Sequence, residues 1–160
     1  MSNIIGCAGF SGSGKSTSLK YLTPESTFII SCTNKQLQIP GFRKKYPKAE
    51  IKDKKLVGNW LISNNYSNIK KIMKIISNTR PEIKTIVIDD ANYLLSNETF
   101  ATALDKGYTK FSVMAKNYYE LLMMCQSLRD DLIVVFICHI ENVGTEENPK
   151  YKIWTTGKML

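Results

Sequence analysis

The sequence predicts an α/β fold with a mainly parallel sheet, and three observations lead there. Strand-like apolar runs alternate along the chain with segments whose apolar residues recur at helical spacing. Gly9-Phe10-Ser11-Gly12-Ser13-Gly14-Lys15-Ser16 lies between the first strand-like run and the first helical segment. It fits G-x-x-x-x-G-K-[ST], the pattern of a phosphate-binding P-loop. Ile86-Val87-Ile88-Asp89-Asp90 is an apolar run closing on two acids, the Walker B pattern of a strand that delivers a carboxylate to such a loop.

The first strand spans about Ile4 to Ala8, and the helix after the loop runs from about Lys15 to Leu22, stopping before Pro24. Thr27 to Cys32 reads as a second strand. A long polar stretch from Thr33 to about Asn65, punctuated by Pro40, Gly41, Pro47 and Gly58, reads as an excursion from the core with room for a short hairpin. Ile69, Ile72, Met73 and Ile76 make Tyr66 to Asn78 an amphipathic helix, ended by Pro81. Lys84 to Asp89 is a buried strand, and Ala91 to Leu104 a short helix. Phe111, Met114, Tyr118, Leu121, Leu122, Cys125 and Leu128 line one face of a long helix from about Tyr108. Leu132 to Cys138 is another buried strand, followed by a hairpin around Glu146-Glu147-Asn148-Pro149.

Length and composition suit one domain spanning 1–160, with 43% hydrophobic and 22% charged residues. No apolar run reaches the roughly 18 residues of a membrane span. No basic region precedes an apolar stretch at the N-terminus, so no signal peptide is expected. Cys7, Cys32, Cys125 and Cys138 lie in apolar segments without a C-x-x-C pair and read as reduced core residues of a cytoplasmic protein. With one histidine, a structural zinc site is not expected. The net charge of +8 comes from lysine, with arginine only at Arg43, Arg80 and Arg129. That excess suits a polyanionic partner and equally suits a solvated lysine-rich surface.

The expected nucleotide site follows from the motifs. Gly9, Ser11, Gly12, Ser13, Gly14, Lys15, Ser16 and Thr17 would cradle phosphates. The glycines let successive N–H groups point at one anion, and the helix N-terminus adds partial positive charge. Lys15 would reach the β- and γ-phosphates, and Ser16 with Asp89 would hold Mg²⁺. Asp90 would face the γ-phosphate and orient the attacking water, or else cap the following helix. His139, closing the strand from Leu132, would sense the γ-phosphate or be a structural histidine; Glu141 is a weaker candidate. Arg43, Lys44, Lys45 and Lys48, continued by Lys52, Lys54 and Lys55, are interleaved with Phe42 and Tyr46, and Trp60 lies nearby. That mixture suits a single-stranded nucleic acid, unless the aromatics pack down onto the core.

The order of P-loop, strand ending Cys32-Thr33-Asn34, Ile86–Asp90 and Phe136-Ile137-Cys138-His139-Ile140-Glu141 resembles the RecA-like and AAA-type ATPases of bacteriophages. Tyr151 to Leu160 looks like their post-sensor segment. The resemblance covers nearly the whole chain. It implies a P-loop NTPase three-layer sandwich, a RecA-like sheet with helices on both faces, ATP and Mg²⁺ as cofactors, and single-stranded DNA or a DNA-bound protein as partner. It also implies a ring or filament of like subunits, in the host cytoplasm if phage-encoded, with Lys158 or Arg129 as a finger toward a neighbour's nucleotide. Both have bland alternatives: an exposed C-terminal lysine, and an arginine placed well at a helix C-terminus. The chain departs from the family in having Thr33-Asn34 where a catalytic Glu follows the second strand. It also ends sooner, which implies a fragment or a short member. The expected function is an ATP-binding, ATP-hydrolysing protein of DNA recombination, replication or repair. A small P-loop kinase, disfavoured by three isolated arginines, and a non-hydrolysing nucleotide switch are the alternatives. The lack of an N-K-x-D motif tilts the base toward adenine.

Overall fold

The computed structural model describes residues 1–35 and 37–155. Its centre is a sheet in the order β1 (Asn3–Gly9), β7 (Ile133–Asn142), β6 (Thr85–Asp89), β2 (Thr27–Ser31), β5 (Trp60–Ile62). These five strands pair in parallel, and β8 (Tyr151–Ile153) adds antiparallel to β7. Every residue of β2 is buried, as its unbroken apolar run requires of a strand covered on both faces.

Alternation along the strands divides the core in two. Phe28, Ile30, Ile86, Ile88, Val134 and Phe136 pack with the buried stripes of α3 (Tyr66–Thr79) and α5 (Thr109–Gln126). Ile29, Val87 and Ile137 point to the opposite face, where they meet Leu19, Phe42, Tyr46 and Trp60. The result is an α/β fold with a mainly parallel sheet flanked by helices, compatible with a three-layer sandwich. Asn65 caps α3 by accepting the Asn68 N–H at 3.0 Å, and the helix gives way at Arg80, just before Pro81. The other two described α-helices on the main path are α1 (Lys15–Ser18), extended by one 3₁₀ turn to Tyr21, and α4 (Tyr93–Ala101).

Residues 33–65 correct the reading of an excursion. They form α2 (Phe42–Lys45), the hairpin β3–β4 (Glu50–Lys52, Lys55–Val57) and the sheet strand β5. Phe42 stacks on Tyr46 at 5.3 Å and meets Trp60 edge-on at 5.1 Å. The Trp60 Nε1–H donates to Ser31 Oγ at 3.0 Å. All three rings are buried, so they cover the sheet and are not free to stack on bases. Arg43, Lys44, Lys45 and Lys48 remain exposed around them.

Arg129 is likewise a fold residue. Its guanidinium donates to the carbonyls of Ile76 (2.8 Å) and Ser77 (3.1 Å), to that of Ile83, and to Asp131 (2.7 Å). It thereby satisfies the open carbonyl end of α3. It lies just before the amino end of β7, whose first residue, Ile133, is six residues or roughly 20 Å of strand away from His139. The trans-finger expectation gives way to this clamp. Arg129→Ala should cost about 2 kcal/mol in chemical denaturation, because it strands buried carbonyls. Lys158 lies outside the described residues.

All four cysteines are free. Burial pushes the Cys125 thiol up to about 12 and that of Cys138 up to about 11, so both act as apolar filling. Among the described residues no helix is long and apolar enough to cross a membrane.

Candidate functional site

The parallel register decides which side chains meet. Gly9 pairs with His139, Ile88 with Phe136 and Ser31 with Asp89, so the carboxyl ends of β1, β7, β6 and β2 lie side by side. Ligands of open parallel sheets gather at that edge. Because β7 lies between β1 and β6, the residue at its exit, His139, stands between the glycine-rich loop and the acids.

The loop is shaped by its glycines. Gly12 and Gly14 adopt φ of 78° and 85°, which L side chains rarely tolerate. At Gly9 the constraint is space: a Cβ would sit 2.9 Å from Ser13 Oγ and 3.4 Å from Lys15 Cδ. Lys15 folds back over this gap. Its Nζ donates to the carbonyls of Gly9 (2.8 Å) and Phe10 (2.7 Å), and stands 3.4 Å from both Ser13 Oγ and His139 Nδ1. No carboxylate among the described residues pairs with this ammonium.

Ser16 and Asp89 are brought together across the cleft, with the hydroxyl donating to Asp89 Oδ1 at 2.8 Å. Asp89 is 2% exposed. Burial pushes its carboxyl up to about 6; the Ser16 hydroxyl holds it back, Asp90 raises it further, and Lys35 and His139 lower it. No cation touches it among the described residues, so this carboxylate–hydroxyl pair offers two hard oxygen donors that fit Mg²⁺.

Asp90 takes a left-handed turn (φ 57°), which Asp tolerates better than most residues. The Ala91 N–H donates to the Ile137 carbonyl at 2.9 Å and pins this turn to β7. The side chain turns into the cleft instead of capping α4: Thr33 Oγ1 donates to Oδ2 at 3.2 Å, and His139 Nε2 lies 3.0 Å from Oδ1. Since Lys15 has only donors, His139 Nδ1 accepts from it and the ring proton sits on Nε2, facing Asp90. Lys15, His139 and Asp90 thus form one continuous row. Glu141 is drawn away, pairing with Lys152 at 3.1 Å on the hairpin.

The cleft holds about 300 Å³, and Ser11, Thr17, Lys35, Leu37 and Gln38 complete its lining. Beside it, Tyr93 meets Trp154 at a tilt, ring centroids 5.8 Å apart, and His139 edge-on at 6.3 Å, and the three line a smaller hollow of about 240 Å³. Asn92 Oδ1 accepts the His139 N–H at 3.2 Å, while its buried Nδ2 has no partner among the described residues. No protein-family model matches the chain, and none of the curated proteins matches it.

Sequence reasoning named Lys15, Ser16, Asp89, Asp90 and His139, and these converge. It missed Thr33, Lys35, Asn92, Tyr93 and Trp154. Thr33 and Lys35 follow a fully buried strand at its carboxyl end, and that position was the available signal. Asn92, Tyr93 and Trp154 reach the site by tertiary packing and carry no local signature.

Proposed function

We propose that this chain is a P-loop NTPase with a RecA-like or AAA-like core, which binds ATP with Mg²⁺ and hydrolyses it in DNA recombination, replication or repair. The observation that carries the reading is a cleft lined by a glycine-rich loop with its lysine and Ser16, whose hydroxyl is bonded to the buried Asp89. Ser16 and Asp89 would hold Mg²⁺, which neutralises charge on the transferring phosphoryl group when bound. Lys15 exchanges the carbonyls of Gly9 and Phe10 for phosphate oxygens. His139, released by Lys15, would lie beside the γ-phosphate, while Asp90 holds the Nε2 edge of the ring. The DNA side of the reading rests on the net charge of +8 and on the resemblance to phage ATPases.

One observation favours a second reading, a nucleotide switch with little turnover: Thr33 and His139 each engage one oxygen of Asp90, which restrains the acid placed to orient water. A kinase is less supported, since Arg80 and Arg129 spend their guanidinium groups inside the fold. Steady-state ATP hydrolysis in Mg²⁺ and in EDTA, with and without single-stranded DNA, separates these. Turnover that needs Mg²⁺ and, at saturating ATP, rises with DNA is the expected result. ATP binding without turnover would select the switch, transfer to a nucleoside monophosphate would select the kinase, and no ATP binding would overturn the proposal.

A further inference from the structure

A second cleft opens beside the phosphate cleft, where residues 34–35 pass between α2 and the end of β5. It holds about 510 Å³ and is lined by Asn34, Lys35, Arg43, Lys48, Trp60 and Ile62. Three of these side chains are cationic. None of them, nor Lys44 or Lys45, forms an ion pair with a carboxylate among the described residues. Residues 41–55 carry seven cations, Arg43, Lys44, Lys45, Lys48, Lys52, Lys54 and Lys55, against two acids, Glu50 and Asp53. Most of the chain's net charge of +8 is therefore concentrated on α2 and the β3–β4 hairpin. Unpaired cations held this close repel one another, and a bound polyanion removes that cost.

We propose that this cleft binds the backbone of a single-stranded nucleic acid and shares Lys35 with the phosphate cleft, so that each ligand weakens the other. The charge continues past the cleft along α2 and the hairpin, more than one small anion would engage and in the manner of a track for successive phosphates. The buried rings of Tyr46 and Trp60 form its floor, so recognition falls on the backbone and is independent of base sequence; Ile62, 36% exposed at its wall, offers an apolar contact to a base. Lys35 lines both clefts. Thr33, on the same segment, is bonded to Asp90. A phosphate in the basic cleft draws the Lys35 ammonium away from the nucleotide, and linkage makes the effect reciprocal. The coupling half of the proposal rests on the nucleotide reading above; the binding half does not.

The test is fluorescence anisotropy of a labelled oligothymidylate, first on nucleotide-free protein. Arg43→Glu with Lys48→Glu should weaken binding at least about tenfold and flatten the log–log salt dependence by roughly 1–2. The neutral pair Arg43→Gln with Lys48→Gln should weaken it less, with melting curves unchanged for both. In wild type, Mg·ATP should weaken oligonucleotide binding severalfold, and Lys35→Ala should abolish that effect. Unchanged affinity in the charge-reversed protein overturns the proposal. So does saturable binding of inorganic phosphate or a nucleoside monophosphate at this cleft with no oligonucleotide binding. Charge-sensitive oligonucleotide binding in a protein that binds no ATP supports the cleft, while overturning both the coupling and the ATP reading.

Discussion

Lys15→Ala is expected to abolish ATP turnover and to lower ATP affinity at least about a hundredfold, with little change in melting temperature. The Nζ group makes its contacts with two loop carbonyls, Ser13 Oγ and His139 Nδ1, at a surface open to water. Removing it strands no buried acceptor, so the fold loses little. In the proposed ATP complex the same group would have phosphate oxygens as partners. Charge-assisted hydrogen bonds contribute about 1.5–3 kcal/mol each, and two of them suffice for a hundredfold change in affinity. Titration with a fluorescent ATP analogue, alongside thermal melts of both proteins, checks both halves. A variant that binds as tightly as wild type would show that the loop lysine holds the loop and not the ligand.

Asp89→Asn should act in opposite directions on the empty and the loaded protein. The Asp89 carboxyl is raised from 3.8 to about 6 in the folded chain. The native state therefore binds this proton more tightly than the unfolded state does. Stability from this group is fully present below about pH 4, is lost as pH rises to about 6, and remains lost at neutrality. A shift of that size corresponds to a cost on the order of 2–3 kcal/mol at pH 7. An amide of the same shape removes the buried charge and keeps an acceptor for the Ser16 hydroxyl. The nucleotide-free variant should melt higher than wild type at pH 7 and no higher at pH 4. It should also lose Mg²⁺-dependent nucleotide binding, since a neutral amide is a far poorer ligand for a hard cation. In wild type the apparent Mg²⁺ affinity should fall by about tenfold per pH unit below about 6, because metal and proton compete for one oxygen pair. Calorimetric melts at the two pH values, with Mg²⁺ titrations across the range, measure all three effects. Equal melting of the two proteins at pH 7 would mean that Asp89 is not held as a strained, uncompensated charge.

The strand and helix core was legible because its periods are strong. β2 and β6 are unbroken apolar runs, and α3 carries four buried residues at helical spacing. The stretch 33–65 was not, because its pattern is mixed. Phe42, Tyr46 and Trp60 sit among lysines, and only tertiary packing turns the rings inward while the ammonium groups stay in water. β5 is three residues long, too short to show a period. In the site, the loop and Asp89 were legible from local motifs with fixed spacing. The side-chain role of Asp90 was not, since a strand-end acid before a helix reads equally as a cap. Its left-handed φ and the arrival of His139 from a strand distant in sequence decide the matter. For Arg129 the sequence left two readings open, a finger toward a neighbour or an arginine at a helix C-terminus, for a similar reason. Its partners lie at the end of α3, about 50 residues earlier in the chain.

The strand order has a mechanical consequence. β1, which carries the glycine-rich loop, is the sheet's outermost strand among the described residues, bonded to β7 along one side only. β6, which carries the two acids, is held on both sides. The two halves of the site thus hang from supports of unequal stiffness, a yielding rim and a fixed centre. A ligand that bridges them acts as a clasp, and the slack it takes up lies almost wholly on the loop's side.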